Sequence, residues 1–560
     1  MPATHDVVNQ VPPLTGHDVA EDPALLEALH REGAGWAEEE LHELGTLAGE
    51  RATQEWARLV EEHPPVLHTH DRYGHRVDEV EYHPHWHDLM TVATAHGVHA
   101  APWRQERLGA HVARAAKMVV WGQTDPGHLC PVSMTYAAVP ALRAQPELAA
   151  LYEPLLTSSS YDVGLRVPTA KSGLIAGMSM TEKQGGSDVR ANTTRAEPTG
   201  EGWYALTGHK WFTSAPMSDV FLTLAQAPGG LSCFLVPRVL PDGERNALRL
   251  QRLKNKLGNR SNASSEIEYE GALGQLVGEE GRGVATIIRM VNMTRLDCTL
   301  ASASGMRRGV VEAVHHATHR SAFGARLLDQ PLMRNVLADL AVESEAATAV
   351  AMRLAGAVDR AACGDPAEEP FRRIALAVSK YWVCKRAAPH AAEALECLGG
   401  NGYVEDSGMP RLYREAPLAG IWEGSGNVAA LDALRAMARQ PETVEAYFAE
   451  VDLAAGADRR LDAAVARLRK DLARPDDAPY RARRTVETMA LVLQGSLLQR
   501  HGAPAVADAF CASRLGADWG VAFGTLPTGV DTAAVLDRAR PHVPTTGERP
   551  GSRAHPVTSS

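Results

Sequence analysis

A glutamate set between a tryptophan and a glycine, in Gly420-Ile421-Trp422-Glu423-Gly424-Ser425-Gly426-Asn427, is the residue of this sequence best suited to proton chemistry. An aromatic neighbour desolvates a carboxylate and raises its pKa toward neutrality, which suits a general base, and the flexible glycine lets a substrate come close. An exposed loop glutamate fits the same string. Two further strings carry residue types that could hold a flat, phosphorylated cofactor. In Met178-Ser179-Met180-Thr181-Glu182-Lys183-Gln184-Gly185-Gly186-Ser187-Asp188, two glycines and a serine can present backbone N–H groups and a hydroxyl to a phosphate. A plain strand-to-loop turn reads the same way. In Gly208-His209-Lys210-Trp211-Phe212-Thr213-Ser214, an indole and two hydroxyls share a strand that could flank a planar cofactor, or Trp211 could simply pack into a core.

Positioning such groups takes several cores. The chain has 560 residues, 45% hydrophobic and 22% charged, an ordinary globular balance with room for about three to four domains. From Asp22 to about Val167 apolar residues recur at helical spacing, as in His111–Trp121 and Val132–Leu142. Between Ser172 and Gly283 the period changes to alternation, as in Val220, Leu222 and Leu224, predicting a small β domain. Helical spacing returns after Gly283, with Met333, Val336, Leu337 and Leu340, then Ile374, Val378 and Tyr381, and predicts a bundle. A further helical segment is expected from about Val444 to Arg540. The domains expected are 1–175, helical; 176–283, β-barrel; 284–440, helical bundle; 441–545, helical; and a disordered tail, 546–560.

Several function classes are excluded. A net charge of −11 argues against a protein that coats polyanions over its whole surface. No apolar run approaches the roughly 20 residues a membrane-spanning helix needs. Met1–Leu14 has no basic start followed by an apolar stretch, so a cytoplasmic location is expected. Seven scattered cysteines with no CxxC pair fit reduced, buried thiols. Seven histidines crowd His63–His87, yet no HExxH or cysteine accompanies them and Pro64, Pro65 and Pro84 suggest an extended surface segment. No metal site is expected. No GxGxxG or Walker loop supports NAD or ATP chemistry.

Taken together, Met180-Thr181-Glu182 with Gly185-Gly186-Ser187-Asp188, Lys210-Trp211-Phe212-Thr213, Arg320-Ser321-Ala322-Phe323-Gly324, Leu398-Gly399-Gly400-Asn401-Gly402-Tyr403 and Trp422-Glu423-Gly424-Ser425 resemble the acyl-CoA dehydrogenase superfamily. The runs Thr181–Asp188, Lys256–Ser264 and Pro410–Glu415 and the extension after Pro441 resemble most its AidB branch, flavoproteins of the bacterial alkylation response. The likeness runs from about Asn9 to about Pro541. It implies an α+β, mostly α fold: an N-terminal helical domain, a central β domain, a C-terminal four-helix bundle and an extra C-terminal helical domain.

The resemblance implies FAD as cofactor, held by Met178, Met180, Thr181, Gly186 and Ser187 on one side and by Trp211, Phe212 and Thr213 on the other. Trp422, Ser425 and Asn427 would adjoin it. Arg320, Phe323, Gln330, Gly399 and Gly400 would hold its adenine end from a neighbouring subunit, and a homotetramer, a dimer of dimers, is the implied assembly. The reaction implied is α,β-dehydrogenation of a short or branched acyl-CoA with Glu423 as base. In the isovaleryl and long-chain branches the base stands just before an arginine on the first long helix after the β domain, which here is Thr294 before Arg295. Arg295 and Arg435 would partner the substrate or the base, although a surface or structural salt bridge suits Arg435 better. The AidB likeness also implies binding of double-stranded DNA through the C-terminal helices. Nine basic residues against four acidic ones between Arg459 and Arg484 offer a stripe of Arg460, Arg467, Lys470 and Arg474, though a solvated helix face reads the same way. The alternative function is a DNA-bound protective flavoprotein that detoxifies a small alkylating electrophile, with little dehydrogenase activity. Neither the acyl group nor the electron acceptor is legible.

Overall fold

The computed structural model describes residues 4–542 apart from 475, 517 and 519. The tail expected at 546–560 therefore lies outside the described residues. Among these, no helix is long and apolar enough to cross a membrane.

The N-terminal part is helical around Ala110–Trp121 and Leu129–Leu142, two helices buried on almost every side. The second is almost wholly apolar for that reason, whereas the first also buries His111, Arg114 and Lys117, with Arg114 paired to Asp297. The histidine-rich stretch differs from the single extended segment expected. It folds as an antiparallel hairpin, Val66–His70 with Arg76–Glu81, and Pro84 then opens the helix Pro84–Ala95 at its first position, where a missing N–H costs nothing. His68, His75 and His85 each face a carboxylate, Glu81, Asp71 and Asp88, at 2.8, 3.0 and 2.8 Å.

Seven strands between Ala176 and Val277 form one sheet. Val220–Ala227 pairs antiparallel with Gly230–Pro237, which pairs with Ser264–Val277, which pairs with Trp203–Ser214. Trp203–Ser214 pairs with Arg195–Gly200, which returns to Val220–Ala227 through Arg195 and Gln226. The ring closes through that one pair, and Leu248–Leu253, which pairs antiparallel with Ser264–Val277, is left as a short edge. Ala176–Ser179 joins it parallel to Val220–Ala227. Inside lie Leu206, Phe221, Phe234, Val236, Ile267 and Tyr269.

The long helices Gly283–His319, Pro331–Ala362 and Glu368–Glu396 follow, and Gly426–Arg439 packs beside them. After Pro441 come Glu442–Asp452, Arg459–Leu472, Ala478–His501, Pro504–Phe510 and Thr532–Ala539. These last helices are tied to the bundle by buried charge. Arg353 bridges Glu368 at 2.9 Å and Glu450 at 2.7 Å, and Arg514 meets Asp339 and, at 3.0 Å, Glu343. Such pairs are costly to break singly, because one partner is left as an unpaired buried charge.

Candidate active site

Glu423 sits in the turn between the Leu418–Gly420 3₁₀ segment and the helix Gly426–Arg439. Its backbone is left-handed, with φ +56°, and Gly424 follows at φ +100°. For a non-glycine residue that geometry costs about 1–2 kcal/mol and persists only where neighbours impose it. Here two bundle helices do so. From Glu368–Glu396, Lys380 Nζ donates to the Trp422 carbonyl at 2.8 Å and to the Gly424 carbonyl. From Gly283–His319, Arg295 Nε donates to the Glu423 carbonyl at 2.9 Å. Arg295 is itself fixed by Asp432, at 2.9 Å, which also takes Arg373 at 2.9 Å. Gly424 is needed as well, since a Cβ there would stand 3.0 Å from Val428 Cγ1.

The carboxylate is oriented by one hydroxyl. Thr294 Oγ1 donates to Glu423 Oε2 at 2.8 Å. The Val291 carbonyl also lies 3.1 Å from that hydroxyl, but the single proton is better used on the nearer, charged acceptor. Trp422 packs on Cys298, Cys384 and Ala419 and helps enclose the group. Burial pushes the Glu423 carboxyl up from the ordinary range, while the Thr294 hydroxyl and the Arg295 and Lys380 charges oppose the rise. The result is a half-buried carboxylate, raised and aimed, the condition a general base requires.

The cofactor-side strings fold on the sheet. Glu182 is fully buried and ion-paired to Lys210 Nζ at 2.8 Å, and it accepts from the Thr193 and Thr194 amides at 2.7 and 3.1 Å. Burial opposes its ionisation, but Lys210 and these amides hold its carboxyl well below the usual range. That pair welds the Thr181–Asp188 turn to the strand Trp203–Ser214, and the Trp211 amide donates to the Thr181 carbonyl at 2.8 Å. Met178, Met180, Thr181 and Gly186 are half-buried at this edge, and Ser187 is exposed. Gly186 packs so closely that a Cβ would lie 2.3 Å from Thr181 Oγ1. Trp211 carries the Lys254 ammonium 3.2 Å above its ring centroid, Phe212 is exposed, and Thr213, at 0% exposure, shares a 2.5 Å hydrogen bond with the Ser179 hydroxyl. The Trp422 indole N–H is buried with no acceptor among the described residues. A half-open sheet edge, a glycine turn and an orphaned indole donor next in sequence to the carboxylate fit FAD as the occupant.

The remaining predicted residues divide. Phe323 has a left-handed backbone and 101% exposure, with Arg320 bonded to the Asn9 carbonyl and Gln330 to the Ala322 carbonyl at 3.1 Å. Gly399 and Gly400 are exposed too. Ser425 caps the following helix without a side-chain bond, and Asn427 accepts from Arg483 Nε at 2.8 Å. Arg435 is not gathered into the site: its side chain is 59% exposed and reaches Asp432 at 3.6 Å, because it lies on the outer face of its helix. The arginine stripe is also corrected. The helix ends at Leu472, so Arg474 falls beyond it, and Arg460 is committed to Asp458 and Asp508 at 2.5 and 2.7 Å. Arg467, Lys470 and Arg474 are exposed and enter no ion pair among the described residues.

Thr294, Lys380 and Asp432 hold the glutamate, yet sequence reasoning assigned none of them that part. Lys380 alone left a signal, a lone cation inside the apolar run Ile374–Val383.

Three family models cover most of the chain: the adaptive response protein AidB N-terminal domain over 9–163, the acyl-CoA dehydrogenase middle domain over 177–272 and the acyl-CoA dehydrogenase C-terminal domain over 281–438. AidB of Escherichia coli (strain K12) is 46% identical over 527 residues, 92% of this chain and 96% of that protein. The structure of Caenorhabditis elegans ACDH-11 in complex with C11-CoA has a TM-score of 0.84 at 28% identity, covering 91% of this chain and 93% of that one. A Bacillus anthracis acyl-CoA dehydrogenase complexed with FAD shares the fold, with a TM-score of 0.64 at 17% identity over 89% of this chain and 91% of that one. The chain belongs to the AidB branch of the acyl-CoA dehydrogenase family, FAD-dependent oxidoreductases acting on CH–CH bonds.

Proposed function

We propose that this protein dehydrogenates an acyl-CoA between its α and β carbons, with Glu423 as the base. The observation that carries the reading is the raised Glu423 carboxylate, oriented by the Thr294 hydroxyl at 2.8 Å. Glu423 takes the α-proton of the thioester, and Thr294 holds the receiving oxygen in place. Arg295 and Lys380 keep the turn in its strained geometry, so that the carboxylate does not need to reorganise when substrate arrives. The turn Thr181–Ser187 and the Trp211 strand would hold FAD, which would supply the acceptor for the β-hydrogen and its electron pair. Anaerobic mixing of the flavin-loaded protein with a panel of acyl-CoA esters tests this. Bleaching of the flavin is expected, and no bleaching with any ester would remove the activity.

Two finer elements belong to the same proposal. The fully exposed Phe323 beside Arg320 and Gln330, together with the exposed Gly399-Gly400 turn, suits a surface that meets a second copy and completes the cofactor site there. A homotetramer is the assembly proposed, and light scattering that reports a monomer would count against it. Arg467, Lys470 and Arg474, exposed and unpaired among the described residues, support binding to the phosphates of double-stranded DNA and a place in the alkylation response. If no ester bleaches the flavin, this surface favours the alternative of a DNA-associated protective flavoprotein.

A further inference from the structure

Beside Trp422 opens a cavity of about 110 Å³ whose wall is not uniformly apolar. It runs along one face of the helix Gly283–His319. Ala301, Ser302, Gly305, Arg308 and Glu312 of that helix line it, and Thr294, which holds Glu423, and Cys298 precede Ser302 on the same face at four-residue spacing. From Thr294 to Arg308 the helix rises by about 21 Å. The near end, at Ser302, Ala419 and Trp422, is small or apolar. The far end holds Arg308, Arg411, Glu312 and Glu415.

These charged groups are incompletely satisfied. Arg308 pairs with Glu312 at 2.5 Å through Nη2, but its Nη1 is buried with no partner among the described residues. Arg411 gives one hydrogen bond, from Nη2 to the Thr124 carbonyl at 3.1 Å, and enters no ion pair among the described residues. Burial holds its guanidinium below the usual range. Glu415 accepts the Asn259 amide at 2.5 Å. Burial, and then Asp125 and Glu61, push its carboxyl up to about 8, so near neutrality it carries a proton it can donate. Asp125 is already served by Ser261 and His128, and Glu61 Oε1 by Arg414, while Glu61 Oε2, outside the cavity lining, is buried with no partner among the described residues. Of the side chains that line this end, Arg308 Nη1 and the Arg411 guanidinium are the under-used donors, and Glu312 is already engaged by Arg308.

A methyl-ended chain reaching this floor would strip water from these donors and return nothing, a penalty comparable to a lost hydrogen bond for each group. A chain ending in a paired acceptor would satisfy them, and a guanidinium fork matches a carboxylate best. We propose that the cavity is the acyl chamber and that it selects an acyl-CoA whose chain ends in a carboxylate, received by Arg411 and Arg308. The inference rests on the dehydrogenase reading for the placement of the thioester at Glu423.

The test compares CoA thioethers, which cannot be dehydrogenated, matched in chain length and ending in methyl, hydroxyl or carboxylate. Dissociation constants are measured calorimetrically on the flavin-loaded protein. The carboxylate-ended ligand is expected to bind about tenfold or more tighter than the methyl-ended one. Arg411→Met is expected to abolish most of that preference while leaving the methyl-ended Kd unchanged or lower. The wild-type comparison stands even if the variant does not fold. Equal or tighter binding of the methyl-ended ligand, or a hydroxyl-ended ligand that matches the carboxylate, overturns the proposal. Flavin bleaching reports Glu423 separately: bleaching without a carboxylate preference sinks this inference alone, whereas a preference without bleaching leaves it standing and removes the dehydrogenase.

Discussion

Replacing Thr294 by valine removes one hydroxyl and nearly no volume, so its effect isolates the hydrogen bond to Glu423. That bond, 2.8 Å long, favours the carboxylate over the acid. A hydrogen bond to a charged group contributes about 1.5–3 kcal/mol, and each 1.36 kcal/mol is one pH unit of proton affinity, so its loss corresponds to about one to two pH units. The carboxyl, already pushed up by burial, must rise further. Because the proposed base would work only when ionised, the acid limb of kcat/KM should move to higher pH by about that amount, and the rate at a fixed pH below the limb should fall by roughly tenfold or more. Above the limb, Thr294→Val should approach wild type, and Thr294→Ser should track wild type throughout. Flavin bleaching followed by stopped flow across a pH series, with an ester the wild type oxidises, measures the limb. A limb that stays put, moves to lower pH, or is replaced by a loss independent of pH would show that Thr294 does not tune the base.

Glu423→Gln should retain the flavin spectrum and thermal stability while lowering the bleaching rate by about 10²–10⁴-fold, the usual contribution of general base catalysis; an unchanged rate assigns the proton to another group. Lys210→Met strands the Glu182 carboxylate at a site with 0% side-chain exposure, and calorimetry should show a loss of about 3–5 kcal/mol. In Gly424→Ala, the added Cβ would stand 3.0 Å from Val428 Cγ1 on a backbone at φ +100°, so bleaching should slow with little change in melting temperature. For the proposed DNA surface, changing Arg467, Lys470 and Arg474 to alanine should flatten the salt dependence of gel shifts by about 0.9 in log–log slope for each phosphate left unneutralised; an unchanged slope places any DNA binding elsewhere.

The broad layout was legible because period switches survive in a single sequence. Alternation at Val220, Leu222 and Leu224 marked the sheet, and helical spacing around Leu337 and Val378 marked the bundle. The hairpin at Val66–Glu81 was not legible, because its strands face solvent on most positions and leave no apolar alternation. The site was legible as strings rather than as geometry. Trp422-Glu423-Gly424 announces a carboxylate on a flexible turn, but the turn's left-handed backbone is imposed by Arg295 and Lys380 from distant helices. No local pattern encodes that. For Arg435 the sequence offered a substrate partner or, better, a salt bridge, and the structure has the salt bridge, to Asp432 at 3.6 Å on the exposed face of its helix.

The charge clamps between the bundle and the last helices bear on how the molecule can be dissected. Excising everything after Pro441 would leave Asp339 and Glu343 without Arg514, and Arg353 without Glu450. It would also lay bare the apolar seam on which Tyr447 and Val486 rest. A shortened fragment should therefore precipitate rather than behave as a miniature enzyme, which makes the terminal helices a foundation of the bundle that holds Glu423.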